Sequence, residues 1–154
     1  MSGYKDFITI QVIGIEEAKA RLGNIEINMK AALTDQQTLA EIGTTLAASA
    51  IKTIDAGGRP TPYKPLAAST IAAKMRKYKK DSGILIGRGT MRQSLDYEVN
   101  GGALYLTSVG YLKFHQFEEG RTKARFPARP VWGVQEDDVP EITDIIIAGI
   151  KRNL

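Results

Sequence analysis

"LDYEVNGGALYLTS", residues 95–108, reads as two short strands around a tight turn. Leu95, Tyr97 and Val99 alternate with Asp96, Glu98 and Asn100, the period-2 pattern of a strand with one face on a core and the other in water. Asn100-Gly101 suits the two central positions of a type I′ turn, both of which need positive φ. That turn would set Val99 opposite Gly102, Tyr97 opposite Leu104 and Leu95 opposite Leu106, placing every apolar side chain on one face. The hairpin calls for an antiparallel sheet, and the rest of the chain reads mostly as helix. The expected fold is therefore α+β, a sheet centred on the 95–108 hairpin and flanked by three longer helices.

Outward from the hairpin, residues 7–13 alternate with Ile8, Ile10 and Val12 on one side, a second strand signal. Ile15, Ala18, Leu22, Ile25 and Met29 recur at helical spacing, with Gly23 as a weak point. Thr34 and Gln37 have the spacing of a capping box and open a helix with the stripe Leu39, Ile42, Leu46, Ala50 and Ile54, ended by Gly57 and Gly58. "GRPTPYKP" (58–65) is an extended connector, because each proline fixes φ and biases its predecessor away from helix. Pro65 then opens a helix with Ile71, Met75 and Tyr78 on its inner face, closed by Gly83. Thr90 and Gln93 suggest another capping box on a short turn of helix. Glu136, Asp137 and Asp138 lead into Ile142, Ile145, Ile146, Ile150 and Leu154, with Lys151 and Arg152 at the far end, as the helix macrodipole favours.

At 154 residues the whole chain, 1–154, suits a single domain with a core that needs no staples. Cysteine is absent, which excludes disulfides, a thiolate nucleophile and a zinc ribbon. The start, "MSGYKDFITIQVIG", has no signal-peptide pattern and no 18 apolar residues run together, so the chain is expected to be soluble, unsecreted and untethered to membrane. Net charge is only +4, yet Arg59 to Arg92 holds nine Lys or Arg against one acid, a local +8 that leaves −4 elsewhere. One surface should meet something acidic.

His115 is the only histidine, with neither thiolate nor G-x-S-x-G serine to complete a catalytic or metal centre. "GILIGRGT" (83–90) lacks the Lys-Ser/Thr of a phosphate loop and the third glycine of a dinucleotide fingerprint. No enzyme and no cofactor is expected. "KMRKYKK" (74–80) gathers Lys74, Arg76, Lys77, Lys79 and Lys80 around Tyr78, which suits either phosphates or an acidic protein. "FPARPVWG" (126–133) cannot be a central strand, since Pro127 and Pro130 donate no ladder hydrogen bond. It is expected to be an extended arm whose apolar residues Phe126, Val131 and Trp132 either cover their own domain or anchor in a neighbour, Trp and Arg being the residue types most often found at interface hot spots.

Four stretches in order, "YKPLAASTIAAK" (63–74), "ILIGRGTMRQSL" (84–95), "FHQF" (114–117) and "FPARPVWGV" (126–134), resemble the phage virion morphogenesis family, the tail completion proteins of Mu-like and P2-like tailed phages. In that family the Tyr63 position is usually Trp and Val131-Trp132 usually reads Phe-Leu, while Glu118-Glu119 stands where glycine usually follows the aromatic. The resemblance implies a non-enzymatic structural protein of phage or prophage virions, assembled in the host cytoplasm. It would act in tail completion or head–tail joining as a homo-oligomeric ring, a hexamer being one form open to it, against tail tube or terminator proteins and the head connector. His115, Gln116, Phe117, Arg129, Pro130 and Trp132 would form the assembly interface, and the basic patch would dock on protein or face packaged DNA. The competing reading is a small, sequence-blind nucleic-acid-binding module built on residues 74–80.

Overall fold

The computed structural model describes residues 5–9, 26–79, 82–117 and 126–153. In chain order the elements are strand β1 (Lys5–Thr9), helices α1 (Glu26–Thr34), α2 (Gln36–Asp55), α3 (Ala68–Tyr78) and α4 (Thr90–Gln93), and strands β2 (Asp96–Asn100) and β3 (Ala103–Val109). A 3-10 turn (Gly110–Leu112) and helices α5 (Lys113–Gln116) and α6 (Val139–Arg152) follow. The fold is α+β, with an antiparallel sheet and a C-terminal helix. Its three strands run in the order β1-β3-β2. The strand expected over 7–13 is β1 as far as Thr9, and its remainder lies outside the described residues. The helix expected over 15–29 is seen only from Glu26, as α1.

The hairpin register differs from the sequence expectation. Val99 faces Leu104, Tyr97 faces Leu106 and Asn100 faces Ala103. The turn residues are therefore Gly101 and Gly102, with φ of 59° and 74°. A type I′ turn needs positive φ twice, and two glycines meet that need with less strain than Asn followed by Gly. The turn slides by one residue and the pairing by two, so side-chain parity is preserved and the apolar face survives.

Helix α2 buries its expected stripe, with Leu39, Ile42, Leu46, Ala50 and Ile54 all in the core beside Leu104 and Leu106 of β3. Its cap is Asp35 rather than Thr34: the Asp35 carboxylate accepts from Thr38 N at 2.9 Å and Thr38 Oγ1 at 2.8 Å. Thr34 instead closes α1, its hydroxyl donating to Lys30 O and Ala31 O, while Gln37 donates to Glu41. Asp35 wins because a carboxylate is the stronger acceptor at a helix N-terminus. The bonds from Thr38 hold its carboxyl below the usual value, and Arg152 adds to the effect. The second expected box also gives way: α4 is capped by Gly89 at φ 87°, with no side-chain cap bond.

Two helix contacts close over glycines of different elements. A Cβ on Gly43 of α2 would lie 2.5 Å from the Tyr97 ring on the sheet. One on Gly149 of α6 would collide with Thr38 of α2. Helix α6 packs along α2 and α1, with Ile142, Ile145 and Ile146 against the core.

The third helix is corrected more strongly. Its last helical residue is Tyr78, and Lys79 takes the left-handed cap at φ 60°, so Gly83 does not close it. None of its residues is buried; Ile71 and Met75, expected inside, are 38% and 46% exposed. The helix stands at the margin, where it is tied by Lys74 Nζ donating to Gly83 O and by the Tyr78 ring lying over Gly87.

Gly149→Ala tests the α2–α6 contact. Its methyl must displace Thr38 or part the helices, so urea unfolding should show a loss of about 1–3 kcal/mol. An unchanged midpoint would mean that the helices do not approach this closely.

Candidate functional site

The prolines that keep residues 126–133 out of the sheet leave the arm's backbone polar groups to be satisfied one by one. Gln116, the last residue of α5, does most of this. Its Oε1 accepts from Val131 N and Trp132 N, both at 2.9 Å, and its Nε2 donates to Trp132 O at 2.7 Å. One amide side chain thus replaces one rung of a strand ladder. Beside it, Arg129 N donates to His115 O at 2.8 Å.

On its other side the arm is fastened to the proline-rich connector. Gly58, at φ 114°, allows a turn so tight that a Cβ there would lie 2.5 Å from Tyr63 N. That turn delivers the Tyr63 hydroxyl to Pro130 O, to which it donates at 2.5 Å, and Arg129 Nη2 donates to Lys64 O at 3.1 Å. Burial pushes the Tyr63 phenol up to about 12, partly offset by the Arg129 charge. Beyond the arm, Asp138 is buried and accepts from Ser49 Oγ at 2.6 Å and Gln135 N at 2.9 Å, and Asp137 pairs with Arg59.

The sequence-predicted residues therefore divide. Trp132 (6% exposed), Val131 and Arg129 are buried in their own chain, where Trp132 and Val131 join the core. Gln116 bonds the arm's backbone at Val131 and Trp132. His115 is half-buried, its ring 4.9 Å from that of Phe126. Phe117 and Pro130 are on the surface, and so are Tyr111, Phe114 and Phe126, aromatics whose exposure sequence reasoning had not singled out. Tyr63 and Arg59 were also missed; a tyrosine set between prolines was the available signal.

A cleft of about 790 Å³ opens between α3 and this region. Lys74, Lys77, Arg88 and Arg129 line it together with His115, Tyr111 and Phe126, over an apolar floor that includes Leu66, Leu85 and Ile86. The basic helix and the histidine segment, far apart in sequence, thus share one concavity. Arg76 and Lys79 are exposed on α3 outside its lining, and Lys80 lies outside the described residues. Among the described residues no three of His, Asp or Glu gather as metal ligands, and no helix is long and apolar enough to cross a membrane.

Two outcomes follow from this geometry. Trp132→Ala should destabilise the isolated subunit by about 3–5 kcal/mol in chemical denaturation, the cost of truncating a core aromatic; a fully stable subunit with weakened self-association would return Trp132 to the interface. For Tyr63 the folded value of about 12 exceeds the unfolded 10.0, so its contribution is complete below 10.0 and is lost as pH rises toward 12. The stability gap between wild type and Tyr63→Phe, about 0.5–1.5 kcal/mol near neutrality from the lost hydrogen bond, should shrink over that window in urea midpoints. A constant gap would mean the phenol is not buried.

No curated protein and no solved structure matches the chain. A family match does exist, and it runs through α2, the connector, the cleft helix, the hairpin, the arm and α6. Over residues 14–151 the sequence matches the phage virion morphogenesis family, to which this chain belongs.

Proposed function

We propose that this protein completes the tail or joins tail to head during virion assembly, as a closed ring of non-enzymatic subunits. Family membership supports a structural role in phage virion assembly. The observation that carries the finer reading is the contrast between a fully fastened arm and the bare surface beside it. Helix α3 buries nothing, and Ile71, Met75, Tyr111, Phe114, Phe117 and Phe126 remain 38% to 54% exposed. Apolar surface of this kind marks contact with other proteins. A ring needs two different patches per subunit, and the cleft with its aromatic rim supplies one. His115, Gln116, Arg129 and Trp132 serve this surface by fixing its shape, while Phe117 and Pro130 take part in it directly.

The partners in this reading are further copies of the chain, tail tube or terminator proteins and the head connector, with weak contact to packaged DNA. A second reading, sequence-blind nucleic-acid binding, is favoured by the exposed charges of Arg76, Lys77 and Lys79, none of which pairs with an acid among the described residues. Against it, Tyr78, the one aromatic of residues 74–80, is turned toward Gly87 and is not offered from the helix as a stacking face.

Particles assembled without this protein, then supplied with wild type or with Lys77, Lys79 and Lys80 all replaced by Ala, test the proposal. Electron microscopy should show separate full heads and finished tails in its absence. Normal infectious virions would overturn the joining role. If the triple variant restores joining but not DNA delivery, the patch faces the genome, and wild-type binding to duplex DNA should fall with log salt at a slope of roughly −0.9 per phosphate. If joining fails and wild type never binds DNA, the patch docks on protein.

A further inference from the structure

We infer that the cleft beside α3 is the seat for the acidic segment of a neighbouring subunit, residues 134–144, which comprises the turn before α6 and the start of that helix, so that copies of this chain engage head to tail. The inference rests on the assembly reading above and names the two surfaces that such an assembly would join.

The first surface is the cleft. Among its described lining residues are four cations, Lys74, Lys77, Arg88 and Arg129, and no acid. Two of them are committed within the chain, Lys74 to Gly83 O and Arg129 to Lys64 O. Lys77 and Arg88 are exposed. The volume, about 790 Å³, is within the range of concavities that hold a ligand, and the floor is apolar. The preferred occupant is therefore a segment that combines carboxylates with small apolar side chains.

The chain contains such a segment. Residues 134–144, "VQEDDVPEITD", carry five carboxylates and no cation. Asp138 is buried on Ser49 and Gln135 N, and Asp137 is paired with Arg59; these two fasten the turn to the body. Glu136 and Asp144 remain exposed, and Val134 and Val139 are 54% and 50% exposed on the same segment. Carboxylates beside bare valines complement cations around an apolar floor.

The turn does not reach the cleft of its own subunit, for no residue of 134–144 lines it. If the two surfaces meet, they do so between copies. A cleft on one copy and a turn on the next form a heterologous contact, which closes into a ring or extends into a filament according to the rotation. The segregation of charge along the chain, +8 over Arg59–Arg92 and −4 elsewhere, then acquires a purpose: it gives the contact a polarity and opposes pairing of like patches.

The test exchanges the charges in trans. One variant carries Lys77→Glu and Arg88→Glu, the other Glu136→Lys and Asp144→Lys; all four positions are exposed, and circular dichroism confirms that each variant folds. Sedimentation over a concentration series should show wild type associating, each variant alone weakened by ~tenfold or more, and the equimolar mixture restored. Wild type that stays monomeric, variants that associate normally, or a mixture that fails to recover would each overturn the inference. Loss of duplex-DNA binding by the first variant with self-association unchanged would do so too, by assigning the cleft to phosphates. Failure of virion complementation while the exchanged pair still recovers would instead sink the assembly role and leave the contact standing.

Discussion

Helix α2 is gripped from two directions, and both contacts close to near-backbone distance. The Tyr97 ring presses on it where Gly43 has no side chain, and Thr38 on its opposite flank fills the space left by Gly149 of α6. Everything else is arranged about this axis. Its stripe from Leu39 to Ile54 forms the core with the hairpin. Its first residues receive Arg152, whose guanidinium bonds to Thr38 Oγ1 at 3.0 Å, and its far end holds Arg92 through a two-pronged pair with Asp55. That exposed pair contributes little stability of its own. It does fix α4, and hence the start of the hairpin, relative to the end of α2.

Much of this was legible in the sequence because it depends on periodicity. The α2 stripe, the alternating hairpin strands and the isoleucine face of α6 are patterns that burial alone imposes, and each lies where the spacing puts it. What failed depends on competition between nearby groups. Thr34 and Asp35 are adjacent candidates for one cap, and Asn100, Gly101 and Gly102 offer two turns of the same type. In each case a small energetic difference between neighbours decides, and the apolar pattern does not report it. The inner face assigned to α3 failed for another reason: Ile71, Met75 and Tyr78 have the right spacing, but spacing says nothing about whether another element is present to cover them.

The candidate site shows the same division. An extended arm that stays out of the sheet followed from its prolines. The direction in which Trp132 faces did not, because an apolar residue in an extended segment has equal reason to fill its own core or a neighbour's. The structure buries Trp132 in the core of its own chain. An arm held by Gln116, Tyr63 and its own tryptophan is a fixed wall, while the accessible apolar area lies on the other side of the cleft and along its rim.

The unequal anchoring of the two walls has a consequence for binding. An isolated helix of 11 residues is marginal in water, and α3 buries none of its residues to improve on that. Its ties among the described residues include Lys74 to Gly83 O, Tyr78 over Gly87, and the connector whose Tyr63 reaches the arm. By contrast the opposite wall is joined to the core through Trp132 and Val131. Local opening free energy follows buried contacts, so α3 should open far more readily than α2. A partner that fills the cleft would supply the burial that α3 lacks, and part of its binding energy would be spent on ordering that helix. Association would then be weaker than the contact area alone suggests.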